Sequence, residues 1–175
     1  MKNLTALPLA LVIMLSEGQF TKALANDDPW APFQFLIGEW VGEGKQGQGS
    51  HFSLTPDLQG KILVRRNHAE LPADRFRPGP HEDLMVIYKS EDGKSAKAIY
   101  FDNEGHLINY AVTFSPDKQT LTFISPAAPS APRFRLTYQK EAEDRVGIKF
   151  EIAPPEKPEE FKTYLEGKAR KKLGR

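Results

Sequence analysis

The stretch Phe35-Leu36-Ile37-Gly38-Glu39-Trp40-Val41-Gly42-Glu43-Gly44 decides the fold. In an extended chain Leu36, Gly38, Trp40, Gly42 and Gly44 share one face, and Ile37, Glu39, Val41 and Glu43 share the other. Alternation with period two is the pattern of a half-buried strand. Glycine weakens a strand unless something must pass close to it. These glycines therefore predict either room for the indole of Trp40 or a sharp bend at the end of a barrel.

Outward from this stretch, short strands recur between turn signals. The predicted strands are Leu36–Gly44, Ser50–Thr55, Lys61–Ala69, Asp83–Lys89, Ala96–Phe101, His106–Phe114, Thr120–Ser125, Arg133–Gln139, Arg145–Ile152 and Phe161–Arg170. Asp92-Gly93 supplies the positive φ of a tight hairpin. Asn103-Glu104-Gly105, Pro116-Asp117 and Thr55-Pro56-Asp57 are further turn signals. Faces are clear in several strands: His106, Ile108, Tyr110, Val112 and Phe114 share one, as do Phe134, Leu136 and Tyr138, and Val146, Ile148, Phe150 and Ile152. In the last strand Phe161, Thr163, Leu165, Gly167 and Ala169 oppose Lys162, Tyr164, Glu166, Lys168 and Arg170. No amphipathic segment of helical length separates the strands. The expected class is all-β, an antiparallel up-and-down barrel of about ten strands, which removes exposed edges by closing. A sandwich is the rival architecture. The connections Leu71 to Glu82, Pro126 to Pro132 and Ala153 to Glu160 are proline-rich, and the first is a stiff surface loop or a lid over the barrel mouth.

The 175-residue chain opens with a basic Lys2, an apolar run from Leu4 to Leu15, and Ala23-Leu24-Ala25 before Asn26. That order is a secretory signal peptide, and the apolar run falls short of the ~20 residues that span a bilayer. The expected organisation is a signal peptide over 1–25 and a single barrel domain over 26–175, exported to the periplasm or secreted, with no stable membrane anchor after cleavage. Lys and Arg number 24 against 23 Asp and Glu, so the mature domain is close to neutral. A neutral domain gives no electrostatic case for nucleic acid, whose binding rests on neutralising phosphates. There is no cysteine, which excludes disulfides, thiolate ligands and cysteine nucleophiles. The fold must be held by its core alone.

Gly38-Glu39-Trp40 resembles the Gly-x-Trp signature of lipocalin-like (calycin) barrels, and the longer Gly38-Glu39-Trp40-Val41-Gly42-Glu43-Gly44 resembles the start of nitrobindin-type haem barrels. The chain from Asn26 onward is also similar to a family of bacterial secreted proteins with no assigned activity. The pieces that carry this likeness are Val64-Arg65-Arg66-Asn67-His68-Ala69-Glu70, His81-Glu82-Asp83-Leu84-Met85 and Tyr100-Phe101-Asp102-Asn103-Glu104-Gly105-His106. The resemblance implies a calyx with Trp40 near its closed end. It also implies an arginine near the chain end packed on that tryptophan, for which Arg170 is the candidate. In nitrobindins a histidine before a leucine near the last strand ligates haem. The matching positions here are Tyr164-Leu165, and no histidine follows His106.

The third predicted strand carries the candidate site. Ile62, Val64, Arg66 and His68 share a face, and Leu63, Arg65, Asn67 and Ala69 share the other; each begins apolar and ends polar. A barrel interior that starts packed and opens into a polar cavity has this pattern. Inward Arg66 and His68 would need partners, because an unpaired buried charge costs several kcal/mol. Glu70, Tyr88, Tyr100, Tyr110 and Tyr138 are within topological reach. The expected ligand site is therefore Trp40, Arg66, His68, Tyr100, Tyr110 and Tyr138, with Arg66 and His68 as polar anchors for a small, largely apolar molecule. The alternatives are a barrel enzyme using His68 with Glu70, haem binding of the nitrobindin kind, and a barrel filled with side chains. No nucleophile elbow and no zinc-type spacing among His51, His68, His81 and His106 is present. No metal, catalytic residue or cofactor is assigned. His81-Glu82-Asp83 reads as a solvated turn.

Overall fold

The structure is a computed structural model that describes residues 28–70 and 79–172. The proposed signal peptide, most of the proline-rich connection after Glu70 and the last residues of the basic tail lie outside them. The strands are β1 (Gly38–Gly42), β2 (His51–Asp57), β3 (Ile62–Ala69), β4 (His81–Lys89), β5 (Ala96–Asp102), β6 (Leu107–Phe114), β7 (Thr120–Ile124), β8 (Arg133–Ala142), β9 (Arg145–Ala153) and β10 (Lys162–Lys171). Each pairs antiparallel with its sequence neighbours, and β1 pairs with β10, so the ten strands close into an up-and-down barrel. The sandwich is excluded, because closure leaves no second sheet. Among the described residues the helical elements are a 3-10 turn at Ala31–Phe33 and one turn, α1, at Gly44–Gly47.

The stretch Phe35–Gly44 divides between two jobs. Only Gly38–Gly42 is strand. Phe33 and Leu36 are fully buried ahead of it and, with Trp30, plug one end of the barrel. Trp30 Nε1 donates to the Gly60 carbonyl at 2.7 Å, and the Phe33 ring meets Phe114 edge-on at 4.9 Å. Trp40 faces inward, donates from Nε1 to the Leu36 carbonyl at 2.8 Å and stacks on Phe52 at 5.8 Å. The glycines serve the bend: a Cβ on Gly42 would lie 2.3 Å from the Gly47 carbonyl oxygen. The free space is therefore taken by the backbone of α1 and not by the indole. Arg170 does not cover Trp40. It faces out toward Glu43 at 3.7 Å, and its neighbour Lys171 places Nζ 5.5 Å from the indole centre. The cause is register, since Lys171 and not Arg170 pairs with Trp40.

The core is the inward row of every strand. Phe52, Leu54, Leu63, Met85, Ile87, Leu121, Phe123, Tyr138 and Val146 are almost wholly buried there. Inward faces read from alternation in β6, β8 and β9 agree with the register: Ile108, Tyr110, Val112, Phe134, Leu136, Tyr138, Val146, Ile148 and Phe150 all project inside.

Candidate functional site

The two ends of the barrel differ in chemistry. The plugged end is apolar. The other end, where β3 finishes and β4 begins, carries an inward polar ladder. Arg65, Asn67, Asp83, Tyr100 and Asp102 fall on the inner wall because each pairs, across β3–β4–β5, with a residue of the same face. The Arg65 and Asp83 side chains are 7% and 4% exposed and form an ion pair through Nη1 and Oδ1. Asn67 Nδ2 donates to Asp83 Oδ2 at 2.9 Å, and His81 Nε2 lies 3.4 Å from the same oxygen. His81 also contacts the Tyr100 hydroxyl at 3.0 Å and Glu104 at 2.9 Å. Tyr100 donates to Asp102 Oδ2 at 3.1 Å, and His106 Nδ1 closes the chain on that oxygen at 2.8 Å. A hydrogen-bonded path thus runs from exposed His106 to buried Arg65.

Beneath the ladder lies a chain of rings. Trp40, Phe52, Tyr138, Phe123, Tyr110 and Tyr100 touch in succession, with centroids 5.6 to 6.3 Å apart. The Arg65 guanidinium sits over this chain, 5.5 Å from the Phe52 ring and 5.9 Å from Tyr138. Burial opposes its charge, but Asp83, Tyr138 and Tyr100 outweigh that and hold its pKa above the ordinary value. Arg65 Nε and the Tyr138 hydroxyl are buried without a hydrogen-bond partner. Burial pushes Tyr138 up to about 12, so it stays a neutral phenol. Burial, then the Asp83 charge, raises Tyr100 and Tyr110 as well. Contact with Asp83, then with Glu104, raises His81.

Of the expected site residues, Trp40, Tyr100, Tyr110 and Tyr138 stand on the inner wall and in one ring chain. Arg66 and His68 do not join them. Arg66 is exposed and His68 faces the outer wall, where it meets Glu70 at 3.0 Å and Glu82 at 3.2 Å and stacks on His51. Glu70, then Glu82, raises the His68 pKa. The inward, buried arginine is the adjacent Arg65. The His68–Glu70 contact is formed, but outside the barrel. Tyr88 also faces out, in register with Ile62. Asp83 is no solvated turn residue; it is the buried centre of the ladder. Arg65, Asn67, Asp83 and His81 escaped the sequence reading because both faces of β3 and β4 run from apolar to polar alike, which erases the alternation, and Asp102 was hidden at the end of β5 beside a turn signal. The ion pair is diagonal, since Arg65 stands opposite Met85 and Asp83 opposite Asn67, so no cross-strand pairing in the sequence announced it.

Ile108, Phe134 and Phe150 also face inward at this end, yet they are only half-buried. Phe134 stacks on Phe150 at 6.0 Å, and Tyr164 meets Phe150 edge-on at 6.1 Å. Tyr164 is the extra residue of a bulge between Thr163 and Leu165, which turns an otherwise outward position onto the rim. An open concavity of about 960 Å³ lies over the same polar end, lined by inward Trp40, Phe52, Asn67, Asp83 and Asp102 and by outward Ser53, Arg66, Leu84 and Phe101. Among the described residues no three His, Asp or Glu side chains converge to hold a metal ion. No family model and no curated protein matches the chain.

Proposed function

We propose that this chain is an exported barrel that binds a small, largely apolar molecule at its unplugged end. One observation carries the reading: Ile108, Phe134 and Phe150 face the interior and remain half-buried, while the opposite end is sealed by fully buried Phe33 and Leu36. Inward Asn67, Asp83 and Asp102 at the same end line an open concavity, so the interior meets solvent there. Apolar walls with a few convergent polar groups are the usual make-up of a ligand pocket. Here the walls are Ile108, Phe134 and Phe150, the aromatic floor is Tyr100, Tyr110 and Tyr138, and the polar groups are Arg65, Asp83 and Tyr100.

Charge narrows the ligand. Arg65 is already neutralised by Asp83, so a carboxylate head would add an uncompensated charge to a buried site, at a cost of several kcal/mol. A neutral molecule with one or two hydrogen-bonding atoms suits the ladder better.

The test is native mass spectrometry of the full chain expressed with its own N-terminus, isolated from the periplasm without denaturation. The expected result is a folded protein with a non-covalent adduct that leaves on gentle activation. Ile108→Trp, which fills the mouth, is expected to abolish it. A bare mass for the wild type, together with no change in tryptophan fluorescence on titration with medium-chain alcohols or ketones, would overturn the reading. A retained haem would replace it with the nitrobindin-like alternative.

A further inference from the structure

We infer that the outer face of β3–β6 is a self-association surface, on which two copies of this chain pack as a weak two-fold dimer. The register places three cross-strand rows there. The middle row runs Val64, Val86, Ile99 and Asn109, and the next runs Arg66, Leu84, Phe101 and Leu107. All of these project outward, opposite the buried Leu63, Met85 and Ala98. Phe101 is 41% and Leu107 61% exposed. Outward positions on β8–β10 are instead Arg135, Thr137, Lys149, Glu166 and Lys168, the ordinary composition of a wet barrel wall. A barrel gains nothing from an apolar outer wall that stays in water, so the asymmetry asks for a cover.

Size and charge favour a second copy as that cover. Four strands about 4.8 Å apart and three rows about 7 Å apart give a patch of roughly 400 Å². That is within the range of the largest apolar patch on a typical monomer, which is often a functional contact surface. Two such patches face to face remove roughly 800 Å², short of a standard stable interface, so the pairing is weak and concentration-dependent. The third row is Ile62, Tyr88, Lys97 and Ala111. No carboxylate occurs in the three rows, and Lys97 and Arg66 are their only charges. A two-fold axis along the strands sets Lys97 over the partner's Tyr88. An axis across the strands sets it over the partner's Phe101. Either way a cation meets an aromatic face, a favourable contact, and no like charges are forced together. The patch is thus complementary to itself without help from any other surface.

The experiment is sedimentation velocity of the full chain's purified product from about 5 to 500 μM. A reversible monomer–dimer equilibrium is expected. Phe101→Glu and Val86→Glu should each raise the dissociation constant at least tenfold, with circular dichroism and unfolding midpoint close to wild type. Thr137→Glu, on the opposite wall, should leave it unchanged. The absence of cysteine makes a second readout clean. Ile99→Cys alone cross-links to itself under mild oxidation if the axis runs across the strands. A mixture of Ile99→Cys and Val86→Cys cross-links if it runs along them. A monomer at every concentration, a dimer indifferent to Phe101→Glu, or equal cross-linking of Thr137→Cys would overturn the inference. So would recovery of the wild-type monomer on neutral lipid vesicles through Phe101, which would make the face a lipid-docking surface.

Discussion

Arg65 and Asp83 show how a single pair governs the interior. Both charges are removed from water, and each is the other's main compensation. Deleting one leaves the other buried and unpaired, which typically costs about 3–5 kcal/mol, whereas replacing both with apolar side chains of similar volume is often close to neutral. Arg65→Met and Asp83→Leu are each expected to lower unfolding stability by about 3–5 kcal/mol in urea titrations. The double variant is expected to lose much less than the sum, a coupling that marks a direct interaction. Equal and additive losses would mean that Asn67 and His81, and not Arg65, hold Asp83. His81 adds a pH dependence. Its folded pKa is raised above the ordinary 6.5, first by Asp83 and then by Glu104. A raised pKa gives stability that is complete below the unfolded value and is lost as pH rises through the folded one. The stability gap between wild type and His81→Gln should therefore be largest near pH 5.5 and shrink steadily above about pH 6.5, as read from unfolding midpoints at fixed ionic strength. A gap that widens with pH would show that His81 acts as a neutral hydrogen-bond partner.

At the scale of elements, β1 and α1 depend on a backbone contact that only glycine permits. A Cβ at Gly42 would meet the Gly47 carbonyl oxygen and Cα at 2.3 and 2.8 Å, and backbone atoms cannot swing aside. Gly42→Ala must push α1 off the barrel wall. A loss of about 1–3 kcal/mol, the usual range for overpacking, is expected in thermal or urea unfolding. Gly167→Ala, which meets open space on β10, should change little beyond the general effect of the residue swap. Comparable losses at both positions would deny the tight approach. Legibility also differs by element. Strands with one apolar and one polar face, such as Phe134–Leu136–Tyr138 and Val146–Ile148–Phe150, could be read to the correct side. The turns could be read as well, because Asp92-Gly93 and Asn103-Glu104-Gly105 carry their own conformational chemistry. β3 and β4 could not, since Val64, Leu84 and Val86 make the outer wall as apolar as the inner. A strand with two apolar faces does not say which one is inside, and one residue of slip exchanges Arg66 for Arg65. The bulge at Tyr164 was invisible for a related reason. An added residue resets the phase of the alternation without changing its composition.

For the whole molecule, fully buried Phe33 and Leu36 seal one end, whereas among the described residues inward Ile108, Phe134 and Phe150 at the other end stay half-buried, and this difference is what tests a binder against a filled barrel. The sealed end concentrates the packing: Trp30, Phe33 and Leu36 are nearly inaccessible and join β1, the β2–β3 turn and β6. Phe33→Ala removes a fully buried ring and is expected to cost about 3–5 kcal/mol, read from the urea midpoint and slope. The unsealed end should answer differently. Ile108 is half-buried, and if the space before it is open, a larger side chain can occupy that space without displacing its neighbours. Ile108→Trp is then expected to change stability by no more than about 1 kcal/mol, below the overpacking range, while it eliminates retention of an apolar ligand. If the interior were packed throughout, the same substitution would be an overpacking change costing about 1–3 kcal/mol, and there would be no ligand to lose. The two variants measured side by side thus distinguish the architectures whatever the ligand's identity. A large stability loss at Phe33 and a negligible one at Ile108 support a calyx, whereas comparable losses make the barrel a solid body. The proposed export can be checked on the same preparations, because removal of residues 1–25 gives a product that begins at Asn26, which intact-mass analysis identifies directly.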